Sequence, residues 1–273
     1  MQERTVFFVS DRTGITAETL GISLISQFEG IHFKPITLPF VDSTEKALEV
    51  TNRINACAIA EQTTPLVFST IVDPAIRSVL QNTQGHCVDF FQSFIPDLET
   101  TLGVKAHQLV GRVHGTYDKQ AYNTRIDAVN FALAFDDGAR TTGYDSADII
   151  LIGVSRCGKT PTCLYLAMQF GIRAANYPLT EEDLDQPQLP SFLESSKAKL
   201  FGLTIDPLRL ASIRAGRKPN SRYADLQQCI HEIKAVESLF KKQHIPYLSA
   251  THLSIEELAT KMLVIAHIDR RLR

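Results

Sequence analysis

The chain has 273 residues, of which 44% are hydrophobic and 21% charged. That length can build one large or two modest hydrophobic cores, so we expect a globular protein. Lys and Arg number 28 against 30 Asp and Glu, which gives a formal net charge of -2. Because there is no basic excess, neither nucleic acid nor an anionic membrane is expected as a partner.

The N-terminus and the cysteines both favour a cytoplasmic location. The segment "MQERTVFFVS" carries charges and only a short apolar run, without the long apolar region or cleavage site of a signal peptide. No segment reaches the roughly 18 to 20 apolar residues of a membrane span. The five cysteines are an odd number without a CxxC pair. This pattern favours neither a disulfide framework nor a zinc site.

In chain order, short β-branched and aromatic runs alternate with amphipathic segments, which predicts an α/β protein with a mainly parallel sheet. The first half predicts strands at "TVFFVS", "KPITLPF", "PLVFSTI" and "HCVDFF", and helices near 15–28, 43–62, 74–84 and 119–135. For the last of these, the helical face would consist of Tyr122, Ile126, Val129 and Leu133. The second half predicts strands at "DIILIG", "RAANYPL", "LFGLTID" and "PYLSAT", most of them followed by a helix. Ser254 and Glu257 form a capping box that predicts the start of the last helix.

The aperiodic segment "AFDDGARTTGYDSAD" separates the two halves. We place the domain boundary in it, with an N-terminal α/β domain over 1–143 and a second α/β domain over 144–273. The halves also resemble each other in two places, 6–16 with 150–160, allowing one inserted residue, and 68–80 with 201–213. Either common residues in strand–turn–helix units or a duplicated α/β unit would explain this likeness.

The strongest functional pattern lies between a predicted strand and a predicted helix. The phosphate-binding P-loop pattern G-x-x-x-x-G-K-[ST] is matched by Gly153, Val154, Ser155, Arg156, Cys157, Gly158, Lys159 and Thr160. In such a loop, backbone N–H groups surround phosphate oxygens, the lysine reaches the terminal phosphates and the threonine hydroxyl holds Mg²⁺. We therefore predict a P-loop kinase-like second domain that binds nucleotide through these eight residues. A glycine-rich turn without a ligand is the alternative.

A carboxylate partner is needed for the metal or for proton transfer. Asp148 begins the strand that leads into the loop, which places it roughly 16 Å away, where a structural role is expected. Asp206 ends the strand "LFGLTID" and should lie at the carboxyl edge, where open α/β sheets bind ligands. Asp206 is thus a candidate metal ligand or catalytic base. Because a proline follows it, Asp206 is equally a helix N-cap, and Asp73, also followed by proline, is expected to be only that.

Cationic side chains near the loop could stabilise a transferred phosphoryl group. Arg156 lies inside the loop and is the first candidate. A second group follows Asp206, namely Arg209, Arg214, Arg217 and Lys218. For each of these four, a solvated helix face is the alternative interpretation.

Three further segments carry candidate groups. The turn "VSDRTG" could form a second anion site with Arg12, and with Asp11 as a base, or it could be an ordinary turn. Asp136 and Asp137 could bind Mg²⁺ or could simply end a helix. His114 lies in a glycine-flanked loop and would titrate near neutral pH.

Through these residues and the segments around them, the chain resembles the bacterial phosphoenolpyruvate synthase regulatory protein family, kin of the pyruvate, phosphate dikinase regulatory proteins. The likeness covers nearly the whole length. It rests on "FFVSDRTGITAE", His114-x-x-x-Asp118-x-x-x-Tyr122-x-x-Arg125-Ile126, "DDG", "GVSRCGKTPT", "LYLA", "AANYPL", "LFGLTIDPLRLASIR", "YAD" and "SIEELA". Several blocks in one order are more specific than any single motif.

The resemblance implies a bifunctional enzyme. Such an enzyme uses ADP to phosphorylate and inactivate the synthase on a threonine, and uses inorganic phosphate to remove that group as pyrophosphate and reactivate the synthase. It carries the nucleotide site onto 153–160 but identifies no catalytic base. The candidate catalytic residues are Lys159, Asp206, Asp11 and Arg156.

The target and the oligomeric state are less constrained. The dikinase-directed branch tends to have serine where Gly158 stands, so this glycine favours the synthase, with the dikinase as the alternative target. The loop alone would also fit a small-molecule P-loop kinase or NTPase. A regulator that controls the synthase by nucleotide occupancy is a third interpretation. A homodimer is compatible with the sequence.

Overall fold

The computed structural model describes residues 2–107, 119–186 and 188–272. The chain forms two compact units, Met1–Gly115 and Thr116–Arg273. Each contains a four-stranded sheet in which all paired strands are parallel. The predicted α/β fold with parallel sheets is confirmed.

The first unit alternates strands and helices along the chain. Its elements are β1 Gln2–Val9, α1 Ile15–Ile25, β2 Ile31–Leu38, α2 Thr44–Glu61, β3 Leu66–Ser69, α3 Pro74–Leu80, β4 His86–Asp89 and α4 Phe90–Leu102. The strand order is β2-β1-β3-β4. Because connections between parallel strands need crossovers, the helices cover both faces of this sheet.

The central strand β1 shows why the sequence folds in this way. Phe7 and Val9 pack with residues of α2 and α3, whereas Val6 and Phe8 pack with residues of α1 and α4. Successive side chains of a strand point to opposite faces, so a strand covered on both sides must be apolar at every position. The uninterrupted run "VFFV" meets that requirement.

The second unit follows the same plan. Its elements are α5 Lys119–Ala134, β5 Ile149–Gly153, α6 Lys159–Phe170, β6 Ala174–Pro178, α7 Glu181–Leu184, α8 Ser191–Glu194, β7 Leu200–Thr204, α9 Pro207–Ala215, α10 Leu226–Lys242, β8 Tyr247–Ser249 and α11 Ile255–Ile265. The strand order is β6-β5-β7-β8. The fully buried strand β5 lies at the centre of the core, between β6 and β7.

The two sheets therefore have the same topology, and the similar sequence segments occupy equivalent places in it. Residues 6–16 and 150–160 each form the first strand, the loop and the start of the next helix, and 68–80 and 201–213 each form the third strand and its helix. Both loops have five residues between strand and helix, 10–14 and 154–158, so no insertion is needed. This agreement favours duplication over coincidence.

All eight predicted strands are present, with ends shifted by a few residues. The predicted strand "HCVDFF" ends early, because the Asp89 side chain accepts a hydrogen bond from Gln92 N and starts α4. The capping box of Ser254 and Glu257 is confirmed at α11. His114 lies outside the described residues.

Two expectations in the middle of the chain need correction. The sequence predicts a domain boundary after residue 143, but the second compact unit already begins at Thr116. The reason is that α5 packs on α6 and β6. The predicted apolar face of α5 is also not the buried one, since Ala128 and Ala132 are buried whereas Tyr122 and Leu133 are exposed. Small side chains let α5 approach its neighbours closely.

Candidate phosphate-binding site

The loop 153–160 begins where the central strand β5 ends. Gly153 is required there because a Cβ atom would lie 2.3 Å from the backbone oxygen of Leu203 on the neighbouring strand. Gly158 has the left-handed conformation, with φ 97°, and precedes α6 without capping it by a side chain. The loop therefore ends at a helix N-terminus whose N–H groups are available to an anion. This is the predicted strand–loop–helix arrangement.

Lys159 is folded back onto the loop. Its residue is only 3% exposed, and Nζ donates to the backbone oxygens of Gly153 at 3.1 Å and Val154 at 2.9 Å. No carboxylate within the described ranges forms an ion pair with it. The ammonium group is thus held by two neutral acceptors, which an anionic ligand can replace.

Thr160 contacts Asp136, for which the sequence allowed either Mg²⁺ binding or the end of a helix. Its hydroxyl donates to Asp136 Oδ1 at 2.7 Å, and the same oxygen accepts a hydrogen bond from Asn176 Nδ2 at 2.6 Å. A hydroxyl that gives its hydrogen to a carboxylate keeps its lone pairs free for a cation. Asp136, rather than Asp206, is therefore the carboxylate in contact with the loop threonine.

The turn 136–138 is built to present this carboxylate. Asp137 adopts the left-handed conformation with φ 50°, which Asp tolerates better than most residues, and Gly138 follows at φ 71°. A Cβ atom on Gly138 would lie 2.8 Å from the Tyr177 ring. The fully buried Asn176 accepts from Asp137 N at 3.0 Å, which fixes the amide that supports Asp136. Sequence reasoning missed Asn176, although it lies in the block "AANYPL".

Arg156 occupies the tip of the loop. It has a left-handed backbone, with φ 75°, and an exposed side chain. Among the described residues, no hydrogen bond or ion pair of its guanidinium is found. An arginine held in an unfavourable conformation with a free side chain is consistent with the predicted contact to a phosphate.

Arg214 has a different position from the one expected of a phosphate-binding arginine. It is 1% exposed and pairs with both carboxylate oxygens of Glu232, at 2.7 and 3.1 Å. Its Nη2 donates to the backbone oxygen of Ser155 at 3.1 Å. Burial alone would lower the pKa of Arg214, but hydrogen bonding to Glu232 and the charge of that carboxylate outweigh it and raise the pKa. Arg214 is thus a buried residue that stabilises the loop by binding the backbone oxygen of Ser155.

The other downstream cations lie on exposed surface. Arg209, Arg217 and Lys218 are exposed, and Arg209 donates to the backbone oxygen of Thr251. None of the three contacts the loop 153–160 through a hydrogen bond described for this chain. The solvated-face interpretation applies to them.

The remaining aspartates behave as caps or structural partners. Asp206 Oδ1 accepts from Arg209 N at 3.0 Å and Asp73 Oδ1 from Ala75 N at 2.7 Å, so both cap helices, as the prolines suggested. Asp206 also lies at the carboxyl edge of β7, beside β5, so its role toward a ligand stays a prediction. Asp148 binds Arg173 N and Arg271 at the opposite end of β5, which confirms its structural role.

The loop of the first unit has the shape but not the charge of the second. Ile15, which is 61% exposed, stands where the second unit has Lys159. Asp11 is buried, and its Oδ2 accepts from Val72 N at 3.0 Å, which ties two loops together. Arg12 is exposed. A phosphate lysine is therefore missing at this equivalent position.

The thiol of Cys157, inside the loop 153–160, is unreactive because it is buried. Cys157 is 1% exposed, and burial raises its pKa. Burial also raises the pKa of Cys163, which lies on α6 and is 1% exposed. Both stay protonated near neutral pH, so neither is poised as a nucleophile.

No cluster of three or more His, Cys, Asp or Glu side chains in the described ranges could hold a metal by itself. No helix in those ranges combines the length and the apolar character needed to cross a bilayer.

The chain is an α/β protein whose second parallel sheet carries, at the end of its central strand, a glycine-rich loop with a buried lysine and a threonine bonded to a carboxylate. The sequence profile of the kinase/pyrophosphorylase family matches residues 6–263. The chain belongs to this family, whose description names two phosphate-transferring activities.

Bacterial relatives match over nearly the whole length. A protein of Stutzerimonas stutzeri is 54% identical over 99% of this chain and 100% of its own. A protein of Pseudomonas aeruginosa is 54% identical over 99% of both chains, and one of Pseudomonas savastanoi is 53% identical over 99% of this chain and 100% of its own. All three are provisionally named phosphoenolpyruvate synthase regulatory proteins.

Proposed function

We propose that this protein is a bifunctional serine/threonine kinase and phosphorylase that regulates phosphoenolpyruvate synthase. With ADP it phosphorylates a threonine of the synthase and inactivates it. With inorganic phosphate it removes the phosphoryl group as pyrophosphate and reactivates the synthase. The observation that carries this proposal is the loop 153–160, in which Lys159 is held by neutral acceptors and Thr160 is bonded to Asp136. The family description and the names of the relatives support it.

Both reactions act on the bond between the threonine oxygen and a phosphorus atom, which forms in one direction and breaks in the other. In the kinase direction, the threonine oxygen bonds to the β-phosphorus of ADP, the bond from that phosphorus to the bridging oxygen breaks, and AMP leaves. The hydroxyl proton passes to a carboxylate. In the phosphorylase direction, an oxygen of inorganic phosphate bonds to the phosphothreonine phosphorus, the threonine oxygen leaves and regains a proton, and pyrophosphate forms. Both directions place two linked phosphorus centres in one loop.

The residues of the loop would have different roles in phosphoryl transfer. Backbone N–H groups after Gly153 and at the start of α6 would bind phosphate oxygens, and Lys159 would leave its carbonyl acceptors for them. Arg156 at the exposed tip would stabilise charge on the transferred group. Positioning and electrostatics of this kind supply most of the catalysis of phosphoryl transfer.

Oxygen ligands at the loop fit Mg²⁺. The Thr160 hydroxyl would bind the ion directly, with Asp136 accepting its hydrogen. Mg²⁺ is commonly held by one or two protein groups together with substrate phosphates, which agrees with the absence of a larger acidic cluster in the described ranges. When bound, the ion would neutralise charge on the phosphates.

Three carboxylates are candidates for the base, two of them in the second unit. Asp136 is our first choice because it already accepts a hydroxyl hydrogen, and Asp206 at the edge of β7 is the second. Asp11 in the first unit is the third candidate, although its Oδ2 is engaged by Val72 N. We further propose that Arg12 helps to bind phosphate or the target threonine, in which case Arg12→Ala raises the KM for phosphate but not the affinity for ADP. Unchanged phosphate kinetics would assign that loop a structural role.

The proposal is tested with purified protein, synthase, Mg²⁺ and ADP labelled in its β-phosphate. We expect label on a synthase threonine and its release as pyrophosphate when inorganic phosphate replaces ADP. Lys159→Ala should abolish both directions, and failure with every nucleoside diphosphate and triphosphate would contradict the proposal. A small-molecule kinase or NTPase would instead turn over nucleotide without the synthase. Regulation by occupancy would leave the synthase mass unchanged, and the same assay with the dikinase separates the two targets.

Further features of the proposal rest on the sequence alone. A cytoplasmic location suits ADP and phosphate as substrates, and no nucleic acid or membrane is required. A homodimer would be detected by light scattering.

A further inference from the structure

Three consecutive backbone oxygens at the start of the loop are bound by side-chain cations. Lys159 Nζ donates to the oxygens of Gly153 and Val154. The oxygen of the next residue, Ser155, accepts from Arg214 Nη2 at 3.1 Å and from Nε at 3.4 Å. Carbonyls that are engaged on the protein side leave the N–H groups of the same loop free for an anion.

The two cations differ in how firmly they are held. Lys159 has a flexible stem and only neutral partners at the loop, whereas Arg214 has Glu232 as a buried counter-ion. Arg214 Nη1 also donates to the backbone oxygen of Tyr223 at 3.1 Å, and its guanidinium lies 4.2 Å from the centre of the Tyr223 ring. The planar guanidinium is thereby fixed in one orientation.

Ser155 is held a second time through its side chain. Its Oγ and the Tyr223 hydroxyl are 2.9 Å apart and share a hydrogen bond. Arg214 lies on α9, Tyr223 lies in the short 3-10 turn that follows, and Glu232 lies on α10. Ser155 is therefore bonded directly to two elements outside the loop and, through Arg214, to a third. Arg214, Glu232 and Tyr223 form what we name the Ser155 clamp.

We propose that the Ser155 clamp is a positioning device that keeps the loop in its phosphate-binding conformation before and after ligand arrives. This inference rests on the proposed function insofar as the loop binds nucleotide phosphates. When Lys159 turns to the phosphates, the Gly153 oxygen keeps the Leu179 N–H at 3.0 Å and the Ser155 oxygen keeps Arg214. The clamp touches no substrate; it acts through the loop.

If the clamp has this role, losing Arg214 and losing Lys159 should change different kinetic parameters. An ordered loop favours bound nucleotide and transition state equally, so losing the clamp should raise KM and leave kcat nearly unchanged. Lys159 contacts the charge that develops during transfer, so its loss should lower kcat.

The test uses the full chain and two kinds of variant. Arg214→Ala alone would leave Glu232 buried without a partner and could prevent folding. The double variant Arg214→Met with Glu232→Leu removes both charges at similar volume and is expected to fold, because such replacements of buried ion pairs are often tolerated. Tyr223→Phe removes only the hydroxyl bonded to Ser155.

A matched control exists in the first unit. Arg77 is buried, pairs with Asp89 at 3.1 Å, and donates to the backbone oxygens of Ile71 and Val72 in the loop before α3. Arg77→Met with Asp89→Asn therefore removes both charges of an equivalent ion pair in the first unit, and Asn can still cap α4. This control should leave ADP affinity unchanged.

Binding is measured by calorimetry with ADP and separately with pyrophosphate, without the synthase, and folding by circular dichroism and urea titration. We expect the Arg214/Glu232 double variant to bind ADP roughly tenfold more weakly and Tyr223→Phe roughly threefold more weakly. A folded double variant with wild-type affinity, or one with lower kcat at unchanged KM, would overturn the clamp. Binding without threonine labelling would overturn the proposed function alone. A wild-type chain that binds neither ADP nor pyrophosphate would overturn both.

Discussion

Thr160 donates its hydroxyl hydrogen to Asp136 Oδ1 over 2.7 Å, although the two residues are 24 positions apart. The contact joins the start of α6 to the turn that follows α5. The contact leaves the lone pairs of the Thr160 hydroxyl free for a cation, and the Asp136 carboxylate accepts the hydroxyl hydrogen. The first three predictions concern the residues of this loop and its carboxylate.

Asp136→Asn should weaken Mg²⁺ binding to the protein–ADP complex. The substitution keeps the shape but removes the charge, and loss of a group that orients a metal ligand typically costs about 10- to 100-fold in metal affinity. The measurement is the affinity for Mn²⁺, as a substitute for Mg²⁺, by electron paramagnetic resonance. Asp206→Asn is the matched control, since Asn also caps helices. A larger loss in Asp206→Asn than in Asp136→Asn would make Asp206 the metal carboxylate.

Lys159→Met should weaken ADP binding and lower kcat without destabilising the free protein. The residue is 3% exposed, and its ammonium group has only two backbone carbonyls as partners at the loop. Because a buried charge without a counter-ion is unfavourable, removing it should leave the free energy of unfolding unchanged or raise it by about 1 kcal/mol. Urea titrations with and without ADP measure both effects. Lys242→Met, on exposed surface, should change neither. A loss of more than about 2 kcal/mol would show that Lys159 stabilises the free loop.

Arg156→Gly should stabilise the protein while it impairs phosphoryl transfer. Arg156 has φ 75°, a conformation that glycine adopts without the Cβ penalty. After allowance for the more flexible unfolded chain, we expect a gain of roughly 0.5 kcal/mol in unfolding free energy. Turnover should fall by at least about tenfold, because the guanidinium is lost.

The control for Arg156 is His244→Gly, which relieves a similar φ of 56° elsewhere in the second unit. It should be stabilised to a similar extent and keep full turnover. If Arg156→Gly kept full turnover as well, the exposed guanidinium would have no part in the transfer.

Because the thiols of Cys157 and Cys163 are buried, we expect the protein to lose stability at alkaline pH. Burial raises the pKa values of Cys157 and Cys163 above the ordinary value of 9.0, so folding favours the protonated thiol. The resulting stabilisation is complete below pH 9.0 and is lost as the pH rises from there through the raised pKa values. Urea titrations between pH 7 and pH 11 should show this decline, and Cys157→Ala with Cys163→Ala should reduce it. Iodoacetamide at pH 8 should modify neither thiol in the folded protein; rapid reaction of Cys157 would contradict the inert environment.

Local sequence patterns predicted much of this fold. Short β-branched and aromatic runs marked all eight strands, and the apolar runs of the central strands β1 and β5 are the most deeply buried because both of their faces are covered. Prolines after Asp73 and Asp206 correctly marked helix starts, since the first helical turn does not need the missing N–H. The domain boundary was wrong because α5 packs on α6, and a loop-like composition at 134–148 says nothing about which core a preceding helix joins.

The sequence by itself determined the loop 153–160, because it is a contiguous strand–glycine–lysine–helix segment whose conformation depends on neighbouring residues. Only the tertiary structure decided which side chains surround it. Asp136 reaches Thr160 from a turn, Asn176 on β6 donates to Asp136, and Arg214 reaches Ser155 from α9. These contacts follow from how helices pack on the sheet, and 59 positions separate Arg214 from the carbonyl it holds. No local periodicity encodes such a distance, so the sequence favours Asp206 as the partner carboxylate, whereas in the folded chain Asp136 contacts the loop threonine.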